Sequence, residues 1–113
     1  MSIKVTVDVS DFNLEDADVN EAIQREIEST AYKIERQAKI NAPIDTGNLR
    51  RTITTDIGDL EADVGTNCEY ASYVHDGTIY MGARPFLEEA AEVELDGIED
   101  RIADAIARLL WLD

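Results

Sequence analysis

Apolar and polar side chains alternate at the start of the chain. Ile3, Val5, Val7 and Val9 interleave with Lys4, Thr6, Asp8 and Ser10, and that period of two predicts a half-buried strand. Asp11 to Ala17 is a mostly polar connection. The period then changes. Ile23, Ile27, Ala31, Ile34, Ala38 and Ala42 follow one another at steps of three and four, the apolar stripe of a helix expected over Val19 to Ala42. Asp18 with Glu21 reads as a capping box at its start. Glu21 with Arg25 and Glu35 with Lys39 form favourable i,i+4 pairs on the wet face. Pro43 ends the helix because its ring clashes with the preceding turn.

A loop rich in turn formers follows, with Asp45, Thr46 and Gly47 at its centre and Leu49 and Arg50 at its exit. Leu49, Arg51, Ile53, Thr55 and Ile57 then fall on one face of a predicted strand. Gly58 and Asp59 mark a turn, and Ala62 to Thr66 supplies the return strand of a hairpin. Tyr70 to Thr78 mixes aromatics with turn residues and supports no assignment, although Gly77 and Thr78 read as a turn. Tyr80 to Phe86 is expected to be extended. A second helix is expected from Leu87 to Leu112, with Leu87, Ala91, Leu95, Ile98, Ile102, Ala105 and Leu109 on its buried face. Gly97 inside it costs about 1 kcal/mol relative to Ala. The fold class is therefore α+β: a small antiparallel sheet packed against a long N-terminal helix and a C-terminal helix.

The 113 residues fit a single domain, and 44% of them are apolar. A domain of this size buries only about 60–70% of its unfolded surface, so association with further copies would add stability. No apolar run approaches the roughly 18 residues of a membrane span. The stretch MSIKVTVDVS lacks the pattern of a signal peptide, and the expectation is a soluble protein of a cytoplasm. Cys68 is the only cysteine, which excludes an internal disulfide and a thiolate metal cluster.

Charge changes the picture more. Asp and Glu number 25 against 10 Lys and Arg, a net charge of −15. Only Lys4, Lys33 and Lys39 are lysines. A carboxylate surface suited to high salt accounts for this, because salt screens the self-repulsion. A negative channel lining that repels passing DNA, or a DNA mimic, are further readings. Direct nucleic-acid binding lacks a basic patch to neutralise phosphates.

Little in the chain suggests catalysis or a cofactor. Asp45-Thr46-Gly47 matches the active-site triplet of aspartic proteases, where two aspartates share a proton. Protease triplets, however, follow an apolar strand in an all-β fold, and this one follows an amphipathic helix and a proline. Its plainer reading is a turn. His75 is the only histidine. Ser72, His75 and Asp76 are close in sequence, whereas catalytic triads gather groups from separate elements. Gly77 and Gly82 form no phosphate loop, and the carboxylates show no calcium-loop spacing. Tyr70, Tyr73, Tyr80 and Phe86, with Arg84 beside them, either close one end of the core or form a subunit contact, since Tyr and Arg favour interface hot spots. His75 lies in the same segment. Leu110 and Trp111 belong to a helix end that is apolar on every side and needs a neighbour or a groove.

Five motifs in order resemble one family. The chain reads Ala42-Pro43, then Asp45-Thr46-Gly47-Asn48-Leu49-Arg50, then Val64-Gly65-Thr66. Tyr70-Ala71-Ser72-Tyr73-Val74-His75-Asp76-Gly77-Thr78 follows, and Ala83-Arg84-Pro85-Phe86-Leu87 closes the series. Over about residues 19 to 110 it resembles the tail-completion, or head–tail joining, proteins of long-tailed double-stranded-DNA phages. The departures are the acidity and the strand at residues 3 to 9. The acidity points to a virus of a salt-loving host, such as a haloarchaeon. The resemblance implies a non-enzymatic virion protein assembled in the host cytoplasm. It implies a ring, commonly of six copies, at the head–tail junction between neck and tail-tube proteins, with DNA passing through unbound. Tail terminator and head-closure stopper are neighbouring alternatives. The contact residues expected on this reading are Tyr70, Tyr73, His75, Tyr80, Arg84, Phe86, Leu110 and Trp111.

Overall fold

The computed structural model describes the chain apart from residues 9–11, 13, 43–46, 69–70, 78–81, 83–84 and 112–113, and apart from the side chains at 47, 48, 72, 110 and 111. Its elements, in order, are β1 (Ser2–Val5), α1 (Ala17–Asn41), α2 (Gly47–Thr52), β2 (Thr54–Gly58), β3 (Glu61–Gly65), α3 (Ala71–Asp76), α4 (Phe86–Leu95) and α5 (Ile98–Trp111). The strands form one antiparallel sheet in the order β1-β3-β2. The α+β class expected from the sequence is the class observed. The molecule measures 58 × 21 × 21 Å, and its radius of gyration of 16.4 Å exceeds the about 13 Å of a compact chain this long. It is a rod laid out along α1.

Helix α1 carries the stripe read from the sequence. Ile23, Ile27, Ala31, Ile34 and Ala38 are all fully buried. Its N-cap is Asp16, not Asp18: the Asp16 carboxylate accepts from the N–H groups of Asp18 at 2.9 Å and Val19 at 3.4 Å. An N-cap aspartate serves the free donors two and three residues on, which leaves Asp18 in the first turn as a charge favourable to the helix dipole. At the other end Ala42 turns extended, with ψ 143°, as the residue before a proline must.

The strand expected over residues 3–9 is shorter. Val5 pairs with Ala62, and just beyond that pair β3 gives way to its turn, so β1 runs out of partner. Ala62 and Val64 of β3 and Val5 of β1 face α1. Ser2, Lys4, Thr54, Asp56, Glu61 and Asp63 fall on the outward face. At the end of the central strand Gly65 stands opposite Ser2. A Cβ there would lie 2.3 Å from the Met1 carbonyl oxygen and 2.7 Å from the Ser2 Cβ, so only glycine permits this approach.

The strand expected to begin at Leu49 is corrected: Gly47 to Thr52 is a short helix, and strand structure starts at Thr54. Leu49 and Ile53 are both buried, and a spacing of four satisfies helix and strand periods alike. The hairpin turn is Asp59–Leu60, with Leu60 at φ 54°, a left-handed conformation unfavourable to leucine. Gln24 of α1 supports it from outside. Its Oε1 accepts from Leu60 N–H at 2.7 Å and its Nε2 donates to the Gly58 carbonyl at 3.0 Å.

The single C-terminal helix expected over Leu87–Leu112 is two helices. Gly97, at φ 77°, breaks the chain between α4 and α5. The break rotates the buried face, so that Ile98, Ile102 and Ile106 are covered while Leu109 is exposed. Arg101 secures the corner. Its Nη1 donates to the Asp96 carbonyl at 2.8 Å and its Nη2 to the Glu94 carbonyl at 2.9 Å. These carbonyls end α4 and would otherwise lack intrahelical donors. The same guanidinium reaches α1 through the Glu26 carboxylate at 2.9 Å and the Thr30 hydroxyl at 3.3 Å.

Two predictions follow from these close contacts. Arg101→Met should lower unfolding free energy by about 2 kcal/mol, because Thr30 and the α4 carbonyls lose a charged donor; urea denaturation measures it. Gly65→Ala should cost about 1–3 kcal/mol by forcing β1 off β3. In the same thermal melts Gly82→Ala, with no neighbour within 4 Å of the added Cβ, should be close to neutral.

Candidate functional site

The residues expected at a contact surface separate into three groups. Tyr70, Tyr80 and Arg84 lie outside the described residues, as do Asp45, Thr46 and Thr78 of the expected turns. Leu110 and Trp111 end α5, but their side chains are outside the description. Tyr73, His75 and Phe86 are described, and they differ in kind.

Phe86 is 1% exposed and belongs to the core under α1. Of the two readings of its segment, closure of the core is the one its burial fits. Tyr73 is 62% exposed, on the outer side of the short α3. The helix forms because Ala71 and Val74 are buried beneath it, and it stops at Gly77, whose φ is 83°. The Gly77 N–H returns to the Tyr73 carbonyl at 2.9 Å, a left-handed helix end that glycine makes without strain.

His75 faces inward. Its ring meets Phe86 edge-on, with centroids 5.5 Å apart. Its Nε2 accepts from the Glu88 N–H at 3.3 Å, and its Nδ1 lies 3.1 Å from an Asp76 carboxylate oxygen. Glu88 is in the first turn of α4, where Pro85 offers no side-chain cap. His75 thus caps α4 from another element. That role was not legible in the sequence, since nothing local links residues 75 and 88. Both ring nitrogens are engaged, so the imidazole is not poised as a base toward a nucleophile.

Leu49, placed at the expected turn, is fully buried, and Arg50 reaches back to the Ala42 carbonyl at 3.3 Å. Arg50 bridges the end of α1 to α2. Its Nε is buried and has no partner among the described residues. The helices on either side of residues 43–46 differ from the all-β setting of a protease triplet.

On the outward sheet face, Thr54, Asp56, Asp63, Gly65 and Thr66 line a shallow open groove with Met1 and Ser2. Asp56 and Asp63 stand directly opposite each other across β2 and β3, an unfavourable like-charge pair at low salt. Among the described residues no group of His, Cys, Asp or Glu is arranged to hold a metal ion. No helix among them is long and apolar enough to cross a membrane.

The geometry therefore defines a packing domain whose distinctive side chains serve mainly as caps and pins. The chain belongs to the HK97-gp10-like family, described as "Bacteriophage HK97-gp10, putative tail-component", whose model matches residues 11–77. It is thus a phage tail component by family, as the resemblance in its motifs implied. We found no match among curated proteins or solved structures.

His75→Ala should remove the cap and the ring contact together, lowering the thermal midpoint by the equivalent of about 1–2 kcal/mol. A loss of ellipticity confined to α4 should precede global unfolding.

Proposed function

We propose that this protein is a structural virion subunit that forms a ring, six copies being the expected number, at the head–tail junction. There it joins the neck proteins to the tail tube. Membership of a family of phage tail components carries the reading. Three features of the chain support it. It is an elongated small domain. It exposes large apolar side chains at several points, Tyr73 and Leu109 among them. Its one histidine, His75, is committed to capping α4. The remaining expected contacts, Tyr70, Tyr80, Arg84, Leu110 and Trp111, stay part of the proposal.

The excess of carboxylates suits a conduit for DNA. With 25 acidic residues against 10 basic ones, a ring of such subunits repels phosphates and lets the duplex pass without gripping it. The same excess, with the facing Asp56 and Asp63, suits a salt-loving host, where the repulsion is screened within about 3 Å at 1 M salt. Tail terminator and head-closure stopper are the neighbouring roles for the same ring.

Deleting the gene from the virus tests the position. Full heads and completed tails should accumulate unjoined, and purified protein should restore joining in a mixed lysate. Normal particles without the protein would overturn the proposal. Tails of uncontrolled length would point to the terminator role, and heads leaking DNA to the stopper.

A further inference from the structure

The acidity of this chain is unevenly distributed. The outer face of α1, opposite its buried stripe, carries Lys33 and Arg36, both exposed. Neither has an ion-pair partner among the described residues, whereas Arg25 and Lys39 on the same helix pair with Glu21 and Glu35. Two large apolar side chains flank the free cations: Tyr32 at 52% exposure and Ile40 at 61%.

Helix α4 presents the complement. Glu89 and Glu92 are exposed and without cation partners among the described residues. Beside them Val93 is the most exposed large apolar side chain described, at 65%. Positions 89, 92 and 93 share one helix face at steps of three and four, as do 32, 33, 36 and 40. The α1 patch spans about 12 Å of helix axis and Glu89 to Val93 about 6 Å, so the α4 face fits within the α1 patch. One stripe is cationic and apolar, the other anionic and apolar.

We propose that the α1 face built on Tyr32, Lys33, Arg36 and Ile40 docks against the α4 face built on Glu89, Glu92 and Val93 of a second copy of this chain. The inference rests on the ring reading above and assigns its subunit contact. The two faces are different surfaces of one molecule, so the contact is head-to-tail. Contacts of that type generate closed rings when the rotation closes. Two helices meeting along such stripes pack at about 8–10 Å between axes. Tyr32 and Ile40 then cover Val93, and the cations meet carboxylates that have no partner among the described residues of their own chain. Opposite charges in direct contact keep part of their attraction at molar salt, where the longer-range repulsion between acidic subunits is screened.

Charge exchange tests it. Lys33→Glu with Arg36→Glu makes both faces acidic, and Glu89→Lys with Glu92→Lys makes both basic. Each variant should keep the wild-type circular dichroism, because the altered side chains are exposed and have no ion-pair partner among the described residues. Each should self-associate at least tenfold more weakly in sedimentation velocity. Mixed in equal amounts, the two variants should assemble again, in alternation. If wild type assembles and either variant assembles equally well, or the mixture fails to recover, the docking is overturned while the ring stands. A wild type that stays monomeric at every concentration and salt overturns the ring reading itself, and the docking with it. Loss of DNA binding in Lys33→Glu with Arg36→Glu, with self-association unchanged, would reassign the face to phosphate and likewise overturn the proposal.

Discussion

Helix α1 has a single apolar stripe, and both the sheet and the α4–α5 arm bury their own apolar faces against it. Everything else in the fold answers to that sharing. The stripe attracts but does not orient, because apolar contact has no direction. Orientation comes from polar pins at its margins. On one side Gln24 holds the hairpin turn through two hydrogen bonds. On the other, Glu26 and Thr30 hold Arg101 at the corner between α4 and α5. At the far end Asn41 donates to the Phe86 carbonyl at 3.3 Å, which fixes where α4 begins. Three polar attachments along one helix thus set the directions that burial leaves open.

The sequence showed the parts of this arrangement that depend on local periodicity. The stripe from Ile23 to Ala38, the hairpin of β2 and β3, and the α+β class were all legible, since each needs only the spacing of apolar residues. Failures occurred where two periods coincide or where a distant residue decides. Leu49 and Ile53 fit a helix and a strand equally, and in the fold Leu49 lies in α2 while Ile53 joins α2 to β2. Gly97 looked like a tolerated weakness inside a long helix, yet Arg101 can gather the α4 carbonyls only if the helix ends there. The cap of α4 was invisible because its donor and acceptor lie on separate elements. Phe86 could be read as core or as contact because it follows an irregular, aromatic-rich stretch, and in the fold it is core. The unpaired state of Lys33 and Arg36 required the structure, since acidic neighbours abound in the sequence.

The motifs that first suggested the family divide in an instructive way. Gly65 is demanded by the approach of β1, and Ala42, Leu49 and Phe86 by the core. His75 is demanded by the end of α4. These described positions serve the scaffold, so this part of the family pattern is accounted for by packing and capping alone.

The supported turn at Leu60 also bears on the order of folding. Most two-residue hairpin turns use glycine or asparagine and close by themselves. This one places leucine in a left-handed conformation and draws its stabilising hydrogen bonds from Gln24, 36 residues earlier in the chain. The hairpin gains that support only after α1 has formed and come alongside. Closure of the sheet is thus a non-local event that follows the helix, and the refolding rate reflects the loop entropy between residues 24 and 60 more than the turn itself.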